Sequence, residues 1–384
     1  MINRSILKEA KQALQQFRAL CITGPRQSGK TTVAQLLFKG RPYISFEDPA
    51  KEKLFYKHPE KFLSGFPKGA ILDEVQRIPD LFRYLQVYLD KHTARGQFIL
   101  TGSNNFLLQQ QISQSLAGRV GYLTLLPLSF EELQTDRQSV DDLLKNILTG
   151  GYPEIWGRQL NRNRWMQSYV QTYVQRDVRQ LRNIANMPLF NRLVNLCASY
   201  AGQLINKDQL AREVGVDGKT IQSWLGVLES SYIIFMLQPW YRNLNKRIVK
   251  SPKLYFHDTG LLCTLLNIQS KDALVNHAMY GAIYENWCIS EIQKNRFNKG
   301  DNNPMYFYRD HLGNEIDLIL EKPSGLLAVE MKVSRKADRS HLAGLRYWRK
   351  YQPEASGILL YQGNDASSDD HVLNFVNWKH IGEL

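Results

Sequence analysis

The sequence predicts an α/β protein built in three parts, and three observations predict it. An apolar run, "ALCIT", leads into the glycine-bearing loop "GPRQSGKT" and then into the helix pattern "KTTVAQLLF". A helix-turn-helix rhythm runs through "INKDQLAREVGVDGKTIQSWLGVLESSYIIFML". Near the C-terminus "MYFYR", "EIDLILE" and "LLAVEMKVS" read as strands, with the turn sequences "DHLGN" and "KPSG" between them. A chain of 384 residues is too long for one typical core. The pattern changes divide it at 1–135, 136–255 and 256–384.

In the first part, Gly24, Gly29, Lys30 and Thr31 match G-x-x-x-x-G-K-[ST] in the strand–loop–helix setting that this motif needs. Glycines let the backbone N–H groups wrap phosphates, and the helix N-terminus adds positive potential. Lys30 is expected to reach the β- and γ-phosphates of ATP, and Thr31 to hold Mg²⁺, with Thr32 beside them. "GAILDEVQ" reads as a buried strand ending in Asp73, for the magnesium shell, and Glu74, for polarising the attacking water. "QFILTGSN" gives another strand, with Ser103 or Asn104 placed to sense a γ-phosphate.

From Ala19 to Leu128 these residues resemble AAA-type P-loop ATPases. The resemblance implies a parallel sheet in the order 5-1-4-3-2, with strands at "ALCIT", "PYISF", "GAILD", "QFILT" and "GYLTLL". It also implies an arginine after the sensor strand that reaches a γ-phosphate, usually of a neighbouring subunit, and Arg119 in "SLAGRV" is the candidate for a catalytic role.

The middle part reads as helical, ending in a winged helix. Asn206 caps the first helix of the pair, Gly215 permits the turn, and Ile221, Trp224, Leu225 and Leu228 stripe the second. Thr220, Gln222 and Ser223 are expected to face outward, where base edges are read. "YIIFMLQPWY" and the basic run after it supply strands and wing.

In the third part, a hairpin closed by "KPSG" pairs Glu321 with Leu326, Ile319 with Ala328, Asp317 with Glu330 and Glu315 with Lys332. Residues two apart share a face, so Asp317, Glu330 and Lys332 meet on one side of the sheet. Two carboxylates about 4 Å apart repel by roughly 4 kcal/mol at an effective dielectric near 20. A divalent cation or a shared proton relieves that. This part, from Tyr280 to Gln362, resembles restriction-endonuclease-like nucleases, whose motif is an Asp followed by Glu-x-Lys on the next strand. Ile316, not proline, precedes Asp317. The resemblance implies a further glutamate from a preceding helix. Glu285 in "YGAIYENWCISEIQKN" stands there, as a metal ligand beside Asp317 and Glu330, with Lys332 as the catalytic lysine.

The whole chain resembles a prokaryotic group of AAA-type ATPases with an uncharacterised C-terminal region. The function expected is an ATP-regulated, Mg²⁺-dependent DNA nuclease, and the alternative is a non-cutting ATPase switch that binds DNA or a protein partner, itself included. The net charge of +13 favours phosphate backbones. It is concentrated in "GRQLNRNRWMQSYVQTYVQRDVRQLRN" and "YRNLNKRIVKSPK". No apolar run approaches the roughly 18–20 residues that cross a bilayer, and the N-terminal segment does not read as a secretory signal. Cys21, Cys197, Cys263 and Cys288 form no C-x-x-C pair, which points away from zinc and disulfides. A cytoplasmic protein without a membrane partner is expected.

Overall fold

The computed structural model describes residues 2–103, 116–133, 140–177, 184, 186–241, 251–367 and 373–384. In the front unit, helix α1 (Leu7–Gln16) precedes strand β1 (Ala19–Thr23) and helix α2 (Lys30–Leu37). Strand β2 (Tyr43–Ser45), helices α3 (Pro49–Lys57) and α4 (Pro59–Ser64), strand β3 (Ala70–Asp73), helix α5 (Leu81–Lys91) and strands β4 (Phe98–Gly102) and β5 (Val120–Thr124) follow. The five strands run parallel in the order β2-β3-β4-β1-β5, the order the sequence implied. Parallel neighbours need long crossovers, and the helices between strands supply them while covering the sheet. Strands β1, β3 and β4 are buried throughout, so their continuous apolar runs carry no alternation.

The sheet order fixes the chemistry. With β4 between β1 and β3, the C-terminal ends of all three open onto one edge, where ligands of open α/β sheets bind.

The middle unit contains helices α6 (Val140–Thr149), α7 (Pro153–Gly157), α8 (Arg162–Tyr169), α9 (Met187–Ser199), α10 (Lys207–Val214) and α11 (Gly218–Ser230). Helices α10 and α11 are the predicted pair. The Asn206 side chain caps α10 by accepting from Asp208 and Gln209 N–H, and Gly215 stands at φ 89° in the turn. Asp217 caps α11 through Thr220 N–H and also accepts from the Thr220 hydroxyl. Of the expected outward trio, Gln222 is exposed, whereas Thr220 and Ser223 are half-buried.

Strand β6 (Ile234–Pro239) pairs antiparallel with β7 (Lys253–Phe256). The expected wing tip, with Arg242, Lys246, Arg247 and Lys250, lies outside the described residues. Beyond β7 come helices α12 (Thr259–Leu265), α13 (Lys271–Val275) and α14 (Tyr280–Asn298). Strands β8 (Met305–Arg309), β9 (Glu315–Lys322) and β10 (Gly325–Lys332), helix α15 (Ala343–Tyr351), and strands β11 (Ser356–Tyr361), β12 (Ala366–Ser367) and β13 (Leu373–Asn377) complete the chain. The second sheet has the order β12-β13-β11-β10-β9-β8-β6-β7. Strand β6 therefore serves both the helix pair and the C-terminal sheet, which it joins through Gln238–Tyr306 and Pro239–Phe307. One apolar core accordingly runs from Phe130 through both units to Ile381, without a break at residue 255.

The hairpin is tighter than a four-residue loop, because Gly325 already pairs with Lys322. Near the turn its register is the expected one, with Leu326 opposite Glu321 and Ala328 opposite Ile319, and the ladder ends at Val329–Leu318, short of the expected Asp317–Glu330 and Glu315–Lys332 pairs.

Gly69 sits at φ +82°, and a Cβ there would lie 1.6 Å from the Gln97 carbonyl oxygen. That close approach seats β3 against β4. Gly69→Ala is expected to cost about 3 kcal/mol or more, from backbone strain and the clash together. Thermal denaturation checks it, and an unchanged melting temperature would contradict it.

Candidate functional site

The P-loop is shaped by backbone that only glycine permits. Gly24 takes φ 146°, and a Cβ would lie 2.0 Å from the Leu125 carbonyl oxygen. Gly29, at φ 95°, starts helix α2. Lys30 is buried, and its Nζ donates to the carbonyls of Gly24 (3.0 Å) and Pro25 (2.8 Å). Burial lowers its pKa to about 8, against the opposing pull of Glu74 and Asp73. The Thr31 hydroxyl donates to Asp73 Oδ2 at 3.0 Å. Thr32 is exposed on the cavity wall. Glu74, at φ 56°, turns its carboxylate toward Ser103, whose hydroxyl donates to Oε2 at 3.2 Å, and toward Gln76. Asn104 lies outside the described residues.

Gly29, Lys30, Thr31, Thr32, Asp73 and Glu74 line a cavity of about 670 Å³. Its chemistry fits a nucleotide phosphate chain. The loop lysine folds back onto carbonyls, the Ser28 hydroxyl is buried with no partner among the described residues, and a hydroxyl and a carboxylate stand together where a hard cation takes oxygen ligands.

Three neighbours carried no usable sequence signal. Buried Arg4 donates to the Ser28 carbonyl (2.6 Å) and the Leu126 carbonyl (2.7 Å) and pairs with Glu132 (3.1 Å), bracing the loop from below. Tyr43 OH donates to Asp73 Oδ2 at 2.5 Å, and the Thr101 hydroxyl bonds Oδ1. Thr101 is the penultimate residue of the sensor strand, so the strand was legible and the contact was not.

Arg119 stands apart from the cavity of its own chain. It precedes β5, and residues before a parallel strand lie on the edge opposite the P-loop. There it forms a two-pronged pair with Asp90 at 2.6 and 2.9 Å. It does not reach the nucleotide cavity of its own chain.

In the second sheet, Lys332 Nζ lies 3.2 Å from Glu330 Oε2 and 4.0 Å from Asp317 Oδ2, so the three side chains share one face. Asp317 also accepts from Met331 N–H at 2.8 Å. Burial raises the Glu330 pKa well above the ordinary carboxyl value, and the facing Asp317 adds to it. The Lys332 ammonium thus eases the repulsion between the two carboxylates.

Glu285 corrects the expected ligand set. On α14 it accepts from Lys253 Nζ (3.1 Å) and Tyr255 OH (2.5 Å). Lys253 also pairs with Glu315. Among the described residues no group of three or more His, Cys, Asp or Glu side chains is arranged to hold a metal ion. The reason is Lys253, counted in the sequence as part of a basic run and in fact 3% exposed. Burial and the nearby Asp317 still raise the Glu285 pKa to about 7. Elsewhere, Arg162 of the first basic run binds the carbonyls of Ile268 and Gly260, whereas Arg158 and Arg164 are exposed. His257 and Asp258 are structural: burial lowers the His257 pKa to about 3, and Asp258 caps α12 while accepting from Gly151 N–H.

Comparison with known proteins matches three segments of the chain. Residues 16–134 match the model of an AAA domain, and residues 140–272 and 280–381 each match a domain of unknown function. An uncharacterized protein of Mycobacterium tuberculosis is 32% identical over 333 residues, covering 86% of this chain and 73% of its own. The chain belongs to the family of that mycobacterial protein. An uncharacterized protein of Methanocaldococcus jannaschii is 23% identical over 330 residues, 78% of this chain and 71% of its own. Among solved structures, the Walker-type ATPase PABY2304 of Pyrococcus abyssi aligns with a TM-score of 0.47 and 14% identity, over 69% of this chain and 96% of that one.

The AAA-domain match and the P-loop motif make this protein a P-loop NTP hydrolase, an ATPase. No helix among the described residues is long and apolar enough to cross a membrane.

Lys30→Ala is expected to abolish ATP hydrolysis, measured as phosphate release; retention of even a tenth of the wild-type rate would contradict the assignment. For Glu285, the folded pKa near 7 exceeds the ordinary 4.5. Its protonated form therefore adds stability below that ordinary value, and the contribution disappears as pH rises through 7. Relative to Glu285→Gln, the metal-free wild type should lose up to about 3 kcal/mol of stability across that window. Denaturant titrations at several pH values check the sign; a constant difference would refute it.

Proposed function

We propose that this AAA protein is an ATP-regulated, Mg²⁺-dependent DNA nuclease. The carrying observation is that Lys332 touches both Asp317 and Glu330, two facing carboxylates on adjacent strands. At the front, Thr31 and Asp73 would hold the Mg²⁺ that accompanies ATP, Lys30 the phosphates, and Glu74 the attacking water, with Ser103 orienting Glu74. At the rear, Asp317 and Glu330 would hold a second Mg²⁺, since two carboxylates with substrate oxygens are an ordinary magnesium site. That ion would supply a Lewis acid and an acidified water. Lys332 would place positive charge beside the phosphodiester, and Glu285 would act through Lys253 and Tyr255 without ligating the ion.

Helix α14 supports the link between the sites. One end carries Glu285. Further along, Glu291 accepts from Phe130 N–H at 2.6 Å and Lys294 donates to the Leu128 carbonyl at 3.3 Å. Residues 128–130 continue from Leu126, whose carbonyl Arg4 ties to the P-loop. The helix pair α10–α11 and the net charge of +13 support DNA association. Four buried free cysteines fit a reducing cytoplasm.

A non-cutting switch is the second reading, favoured by the lysines that already neutralise the acids without a cation.

In a plasmid-nicking assay with Mg²⁺ or Mn²⁺, wild type should nick, Asp317→Ala should not, and Lys332→Ala should be slowed about 100-fold or more. Lys30→Ala should remove the dependence on nucleotide. Absence of nicking under every nucleotide condition would leave the switch.

A further inference from the structure

The stretch after β10 carries Lys332, Arg335, Lys336, Arg339, Arg346, Arg349 and Lys350 against a single acid, Asp338. Asp338 is occupied in capping, accepting from Ser340 N–H at 2.8 Å. Arg335 and Lys336 are exposed three and four residues beyond the site lysine. The turn that presents them is pinned: Ser334 Oγ bonds the Lys336 backbone, and Gln362 N–H donates to the Ser334 carbonyl at 2.8 Å. Helix α15 then returns across the hairpin with Leu345 and Trp348 buried, which leaves Arg346 and Lys350, four residues apart, on its exposed edge. The helix begins directly on the acidic site. A Cβ on Gly344 would lie 2.6 Å from Glu330 Oε1. The carboxylates are buried under the start of the helix, so Lys332, half-exposed and next along the chain to Arg335 and Lys336, is the part of the site open to the surface.

We propose that Arg335, Lys336, Arg346 and Lys350 form a track that carries a DNA backbone onto the Asp317–Glu330–Lys332 site. The inference rests on the nuclease reading of that site and names the surface that delivers its substrate. Spaced cations on a rigid helix and a pinned turn suit a regular row of phosphates, whereas the acidic site itself repels them; the track supplies the attraction the site lacks.

The test is binding of a short labelled DNA duplex by fluorescence anisotropy in EDTA, where no cutting occurs, over a range of salt. Each lost phosphate contact should reduce the slope of log affinity against log salt by about 0.9. Arg335→Ala/Lys336→Ala/Lys350→Ala should therefore flatten the slope by about 2 to 3 and weaken binding about tenfold or more, with ATP hydrolysis unchanged. A wild-type slope in this variant overturns the track, as does a loss seen only on replacing Arg158 and Arg164 of the middle unit. Asp317→Ala, which removes a repelling carboxylate, should bind at least as tightly as wild type. If wild type fails to nick plasmid with Mg²⁺ or Mn²⁺ but the triple variant still loses affinity in EDTA, the track stands and the nuclease reading falls; if wild type binds no DNA, both fall.

Discussion

Helix α14 buries a run of polar side chains, and elements from across the structure partner several of them, while the Asn295 amide makes no hydrogen bond among the described residues. The helix is enclosed on nearly every side, with Ile283, Trp287, Ile289 and Ile292 in the core and Asn286, Glu291 and Lys294 buried as well. Buried polar groups left unpaired cost about 1–3 kcal/mol each, and more when charged. Their partners come from everywhere else. Asn286 pairs with both backbone groups of Phe256, Trp287 Nε1 donates to Asn146, Glu291 and Lys294 hold residues 128–130, and Glu285 takes Lys253 and Tyr255. A single helix thus touches the exit of the ATPase sheet, the middle helices and the acidic site.

Charge is managed differently at the two ends. In the front unit one buried ion pair, Arg4–Glu132, doubles as a brace under the P-loop. Breaking such a pair on one side typically costs about 3–5 kcal/mol, so the loop geometry and the position of residues 126–132 are fixed together. In the rear unit Glu285, Glu315, Asp317 and Glu330 are set against Lys253 and Lys332. Burial and the carboxylates act oppositely on both lysines, and the carboxylates prevail, raising each pKa. Arg309 adds a further contact to Glu315 at 3.3 Å.

What was legible in the sequence follows from what is local. The P-loop, Asp73 at the end of β3, Ser103 just after β4, the cap at Asn206 and the β9–β10 register near the turn all depend on neighbours a few residues away or on strict alternation. What the sequence hid depends on crossings. Lys253 looked like one more cation in a basic run because nothing local reveals that β7 carries it to Glu285 and Glu315. Arg119 looked like a finger because motif spacing does not say which edge of a parallel sheet a residue occupies; its partner Asp90 lies on another helix. Arg4 offered no signal, since its three acceptors are spread from Ser28 to Glu132.

The central claim is that Asp317 and Glu330 exchange the ammonium of Lys332 for a divalent cation. Crystals grown with Mn²⁺ and a non-hydrolysable ATP analogue test it directly by anomalous scattering. The account predicts one manganese peak at Thr31 and Asp73 and a second between Asp317 and Glu330, with Lys332 displaced from its present contacts. A peak at the front alone, with Lys332 still resting on both carboxylates, would contradict it.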